Sequence, residues 1–195
     1  LWYYAWTLSN SRLAAGEHSA DNPDAEGTPM AHWRDRMLRS GSAHPRVLMV
    51  RSIYNVIENL AEPARGLAVA DSLWRAAAAP AGELVREADI LARRSGDPEQ
   101  VAKWLRRAVE AEPSDDVAAG RRLLGLEAYE AGGVAMLEGA AARLARIDDT
   151  SRPLGTTREA YREAVEIRRG TVLTHLARGH LALGDTGAAR AVLAE

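Results

Sequence analysis

The sequence predicts an all-α fold, a solenoid of antiparallel helix hairpins, and three observations lead to that reading. The stretch Gly82–Pro113 reads as two amphipathic helices around a tight turn. A ten-residue phrase ending in Gly plus a small or polar residue occurs four times, as LSNSRLAAGE from Leu8, ADILARRSGD from Ala88, LGLEAYEAGG from Leu124 and LARGHLALGD from Leu176. Ala dominates a composition without Phe or Cys, which favours closely packed helices.

Taken in order, the chain opens on LWYYAWTLSN. This apolar run is far shorter than the roughly 20 residues that a membrane-spanning helix needs. It lacks the basic region and small-residue cleavage site of a signal peptide. A helix packed on the first repeat is expected; the tail of a membrane segment is the other reading. The chain begins with Leu1 and ends at Ala194-Glu195, so an excerpt from a longer protein is expected.

Gly16–Pro29 is rich in Gly, Pro, Asp and Asn and reads as a long loop. Met30–Arg39 resumes as a short helix with Trp33 and Met37 on one face, and Ser40–Pro45 is a second loop. Val47–Leu60 is β-branched enough for a strand. Helix is preferred, because Val47, Val50, Tyr54 and Ile57 keep helical spacing. Ala64–Ala79 is an Ala-rich helix stopped by Pro80.

In the central stretch Val85, Ala88 and Ala92 form one apolar stripe and Ser95-Gly96 breaks it. Asp97-Pro98-Glu99-Gln100 restarts the pattern with a capping Asp, a Pro at the first helical position and a Gln placed to reach back. Val101, Leu105 and Ala108 form the second stripe, which Pro113 ends. Ser114 is then expected to cap a helix to Ala131, Gly132-Gly133 to turn the chain, and Val134–Ile147 to return. After a loop at Asp148–Thr156, Thr156 and Glu159 read as a capping box for a helix over Arg158–Arg169. Gly170 is expected to separate it from Thr171–Leu183, and Gly184-Asp185 leads into a last short helix.

The phrases start 80, 36 and 52 residues apart. The middle step lies close to the period of roughly 34 that marks a tetratricopeptide repeat. Val85, Ala88, Asp89, Ala92, Val101, Leu105 and Pro113 follow that pattern, with Ala108 between the last two and Asp89 standing where Gly is usual. Leu124-Gly125 and Leu176-Ala177 supply the Leu-small pair, and His180 stands where Tyr is usual. The chain resembles a tetratricopeptide-repeat protein over Ala81–Ile147 and Gly170–Glu195. The resemblance implies a right-handed α-solenoid in one domain over residues 1–195. Its parts are an irregular N-terminal hairpin with a long loop at 1–45, a degenerate repeat at 46–80, the clearest repeats at 81–147 and a C-terminal repeat with an extra helix at 156–195.

The functional reading follows from that architecture, since the first helix of each hairpin lines a concave groove. The groove positions are Arg86, Ile90 and Arg93 in the central unit, Arg122, Leu126 and Tyr129 in the next, and Arg178 in the last. Arginines beside Tyr, Leu and Ile suit an acidic or amphipathic peptide, so the expected partner is a protein or peptide. A net charge of −2 gives no electrostatic case for nucleic acid. No P-loop, dinucleotide-binding glycine run or Cys nucleophile is present. His18 with Asp21 and His32 with Asp35 offer too few ligands for a metal. The reading is therefore non-enzymatic, without metal or cofactor. The absence of Cys suits a cytoplasmic setting, and a periplasmic one too. The rivals are a helical enzyme domain with a site near Met30–Leu60 and a membrane-tethered assembly factor.

Overall fold

The computed structural model describes residues 32, 35–36, 39–42, 44–76 and 82–194. These are helical throughout, with short turns and no strand among them. The expected helix at Leu1–Asn10, the loop at Gly16–Pro29, Trp33 and Met37 lie outside the described residues. Two compact units divide the chain, Leu1–Leu91 and Ala92–Glu195.

In the first unit His32, Asp35, Arg36 and Arg39 are helical, followed by α1 (Pro45–Asn59) and α2 (Pro63–Ala76), which pack together. Helix was the right choice for α1, but the inward face matches only part of the one its apolar spacing marks. Val50 is buried and Val47 and Tyr54 are half-buried, while Ile57 turns outward. Ile57 is 59% exposed, whereas Leu48, Ser52, Asn55 and Asn59 are buried. Polar residues can take that face because their hydrogen bonds are met inside. Asn55 Nδ2 donates to Gly66 O at 2.8 Å, and Asn59 Nδ2 donates to Asn55 O at 2.9 Å. The helix α3 (Gly82–Ser95) begins in this unit and buries Leu84, Val85, Ala88 and Leu91.

In the second unit α4 (Pro98–Ala111) starts where expected. Gly96 takes a φ of 69°, a region open to Gly, and Asp97 accepts from Glu99 N at 2.9 Å. Val101, Ala102, Trp104 and Leu105 are buried along it. Pro113–Asp115 is a 3₁₀ turn, and the helix α5 that follows spans only Asp116–Leu123. This corrects the expected helix from Ser114 to Ala131. The chain turns at Leu124–Ala128, with Ala128 at a φ of 69°, and restarts as α6 (Glu130–Leu144). Gly132 and Gly133 therefore lie inside a helix instead of ending one.

Tertiary contact explains their presence. A Cβ on Gly133 would stand 2.8 Å from both Gly120 O and Leu124 N, so only Gly lets α5 and α6 approach this closely. Leu124 reaches from the turn toward Gly133 and Gly179 and joins a core of Val134, Leu137, Ala140, Leu144, Val172 and Leu176. A second correction concerns Gly170, which does not break its helix. α7 runs unbroken from Arg158 to Ala182, capped by Thr157, whose Oγ1 accepts from Ala160 N at 3.2 Å. The cost of one helical Gly, about 1 kcal/mol, is offset by strong helix formers on either side and by packing of the C-terminal half. Gly184, at a φ of 79°, and Asp185, accepting from Ala188 N at 2.8 Å, then start α8 (Thr186–Leu193). Within this unit α4 packs on α5, α5 on α6, α6 on α7 and α7 on α8.

Candidate functional site

The sequence-derived groove residues fall in different settings. Arg86, Ile90 and Arg93 all lie on the exposed side of α3, opposite Val85, Ala88 and Ala92. Arg122, Leu126 and Tyr129 do not share a helix face, because the chain leaves the helix after Leu123. Arg122 is half-buried in the last turn of α5, Leu126 sits in the following turn and Tyr129 precedes α6. The Tyr129 ring is faced by the Arg106 guanidinium of α4, 5.8 Å from its centroid. Arg178 is exposed on α7. His180, read as a packing position, is half-buried, with Nε2 3.9 Å from Glu138 Oε1.

A different constellation forms where the start of α5, the end of α6 and the middle of α7 meet. Asp116 and Arg143 pair through two parallel contacts, Nη2 to Oδ1 at 2.7 Å and Nε to Oδ2 at 3.0 Å. Asp116 Oδ1 also accepts from Val117 N at 2.8 Å. The carboxylate beside it raises the Arg143 pKa, so the guanidinium is held charged. The Arg143 side of this clamp walls a cleft of about 280 Å³ with an aliphatic floor of Val117, Leu144 and Val172. Arg121 and Arg168 stand on its two sides, and Ile167, 63% exposed, forms its lip. Among the described residues no carboxylate lines it. Neither Arg121 nor Arg168 has a carboxylate partner among the described residues.

Next to the cleft on α7, His175 has its pKa lowered, first by burial and then by the positive charges of Arg121 and Arg178. Arg178 thus shares a local positive field with Arg121. The arrangement offers charge-assisted hydrogen-bond donors beside an apolar surface, a combination able to hold carboxylates flanked by aliphatic groups.

A second depression, of about 410 Å³, lies under the first turns of α7 and involves Ile147, Tyr161 and Val165. The Arg162 guanidinium that lines it is already matched. Asp149 accepts from Arg158 Nε and from Arg162, whose Nη2 is 3.0 Å away. These bonds, Arg158's first, hold the Asp149 carboxyl below its ordinary pKa.

Sequence reading missed Asp116, Arg121, Arg143 and Arg168 as a group. Asp115-Asp116 reads as a solvated or capping pair, and the cleft depends on α7 continuing through Gly170. A helix phase carried across Gly170 would have put Arg168, Thr171, Val172 and His175 on one side.

Among the described residues no group of three or more His, Cys, Asp or Glu side chains could hold a metal ion. Nor is any described helix long and apolar enough to cross a membrane. Comparison with protein-family models, with curated proteins and with solved structures found no match.

Proposed function

We propose that this chain is a tetratricopeptide-like helical repeat module, a right-handed solenoid that binds a peptide segment of a partner protein and performs no chemistry of its own. The observation that carries the reading is the recurrence of one junction. At Ser95–Pro98 and again at Leu183–Thr186, a helix ends on a left-handed Gly and the next starts on a capping Asp. The phrase that contains each junction also buries matching positions, Ala88 and Leu91 in one, Leu176 and Gly179 in the other. Within the second unit, packing of α4 on α5, α5 on α6, α6 on α7 and α7 on α8 also supports it, since repeat arrays are built from nearest-neighbour contacts. Within the second unit, exposed Arg121, Ile167 and Arg168 supply guanidiniums and aliphatic carbon.

The test is an array of linear peptides of varied charge and hydropathy, probed with the folded protein at low and high salt. Retention of a subset sharing one chemistry is expected. Retention of none, with the protein shown to be folded, rules out a peptide-binding module.

A further inference from the structure

We infer that the cleft between α5, α6 and α7 is the docking site for an acidic amphipathic segment of a partner protein. This deepens the interaction-module reading and rests on it. The cleft is not the helix face that the repeat pattern marks. It exists because α7 extends unbroken past Gly170, which brings Ile167 and Arg168 opposite Val117 and Arg121.

The lining selects its occupant by charge. Three guanidiniums, those of Arg121, Arg143 and Arg168, meet no lining carboxylate among the described residues, in a chain whose net charge is −2. Arg143 is already matched by Asp116 and serves as a fixed wall. Arg121 and Arg168 are exposed and without a carboxylate partner among the described residues, so two positive charges remain to be met. The hydroxyls at the site are engaged within the chain: Ser114 Oγ donates to Glu112 Oε1 and Thr171 Oγ1 to Ile167 O. The guanidiniums are therefore the donors left for a ligand.

Between them lie aliphatic side chains, with Ile167 standing exposed at the lip. A purely acidic chain would leave that apolar surface wet, and a purely apolar one would leave two charges unmet. A segment with Asp or Glu on both sides of Leu, Ile or Val satisfies both. Electrostatic attraction across such a face also speeds encounter and makes binding salt-dependent.

The experiment measures fluorescence anisotropy of labelled peptides with the whole chain. The probes are a peptide alternating Glu with Leu, its Lys–Leu counterpart, and a Glu–Ser peptide that keeps the charge and lacks the aliphatic groups. The variants are Arg121→Glu/Arg168→Glu and Ile167→Ser, both at exposed positions where the fold should survive, and Arg86→Ala/Arg93→Ala on α3. Each is first checked by its helical circular dichroism and melting. The Glu–Leu peptide should bind more tightly than either control and lose affinity as salt rises. Arg121→Glu/Arg168→Glu should weaken it by about tenfold or more. Ile167→Ser should weaken it by a smaller factor, and Arg86→Ala/Arg93→Ala should leave it unchanged.

Full binding by Arg121→Glu/Arg168→Glu overturns the cleft. If that binding is lost in Arg86→Ala/Arg93→Ala, the interaction reading stands and the site moves to α3. Equal binding of the Glu–Ser peptide also overturns the proposal, since charge alone would then suffice. No binding of the Glu–Leu peptide by the parent overturns the cleft as well, while the peptide array decides separately whether the module binds any other segment.

Discussion

Asp116 and Arg143 are joined by a two-point ion pair across 27 residues of chain, linking the first turn of α5 to the last turn of α6. Asp116 is 7% exposed, and Arg143 keeps 36% of its side chain in solvent. The pair fixes two helices whose backbones already touch at Gly120 and Gly133.

Removing one partner should therefore matter more than at an ordinary surface pair. Arg143→Ala leaves a nearly buried carboxylate with only Val117 N to satisfy it. We expect a loss of about 1–3 kcal/mol, between the values for exposed and fully buried pairs. Arg143→Lys should recover only part of it, since an ammonium cannot reproduce the planar two-point contact. Urea unfolding of the three proteins checks this. Midpoints equal to the parent's would mean that the pair is loose in solution.

Two glycines of α6 make a paired test of why each is there. At Gly133 an added Cβ would meet backbone atoms at 2.8 Å, which cannot yield without parting α5 from α6. Gly139, in the same helix, has nothing within 4 Å of that position. Gly133→Ala should destabilise by about 1–3 kcal/mol as an overpacked contact. Gly139→Ala should stabilise by about 0.5–1 kcal/mol, the ordinary gain of Ala over Gly in a helix. Thermal melts that shift in the same direction for both would show that the α5–α6 contact is not this close.

These glycines show how far the sequence could be read. Gly96-Asp97 and Gly184-Asp185 were legible because both steps of the junction are local: a left-handed exit, then a side chain capping its own helix. Gly133 looks the same on paper, yet it marks a helix crossing, which only the distant partner Gly120 defines. The end of α5 was hidden for a related reason. Its turn uses Ala128 at positive φ and Tyr129 as the residue before α6, and neither type announces a break. The cleft inherits both blind spots, since Arg121 and Arg168 come together only when α5 stops early and α7 does not.

The stripe on α4 was legible and carries its own prediction. Leu105 is 3% exposed, in the phase read from the Val101–Leu105 spacing, whereas the fully buried Trp104 beside it went unremarked. The Trp104 ring has the Arg107 guanidinium 4.5 Å from its centroid. Leu105→Ala should cost about 2–5 kcal/mol. In a chain of nearest-neighbour contacts that loss should open α4 and α5 before α7 and α8, as hydrogen exchange would show. Uniform loss of protection along the second unit would point to one cooperative block.

The last prediction concerns acid. The His175 pKa lies below its ordinary value of about 6.5. Burial is the first cause, and the charges of Arg121 on α5 and Arg178 on α7 are the second. A depressed pKa means that the fold resists protonation here. The stability tied to neutral His175 is present above about pH 6.5 and is lost as pH falls through the folded value. The Asp149 carboxyl is depressed too, chiefly by Arg158, but its ordinary range is near pH 4. Its contribution therefore survives the His175 step and fades only in stronger acid. Acid unfolding should show both ranges, and His175→Gln should remove the one near neutrality while leaving the lower one. An imidazole titration by NMR is the direct measurement. His175 should titrate below the ordinary value, and Arg121→Gln should move it upward by removing one positive neighbour. An imidazole that titrates at or above the ordinary value would mean that Arg121, Arg178 and His175 do not share the positive field described at the cleft.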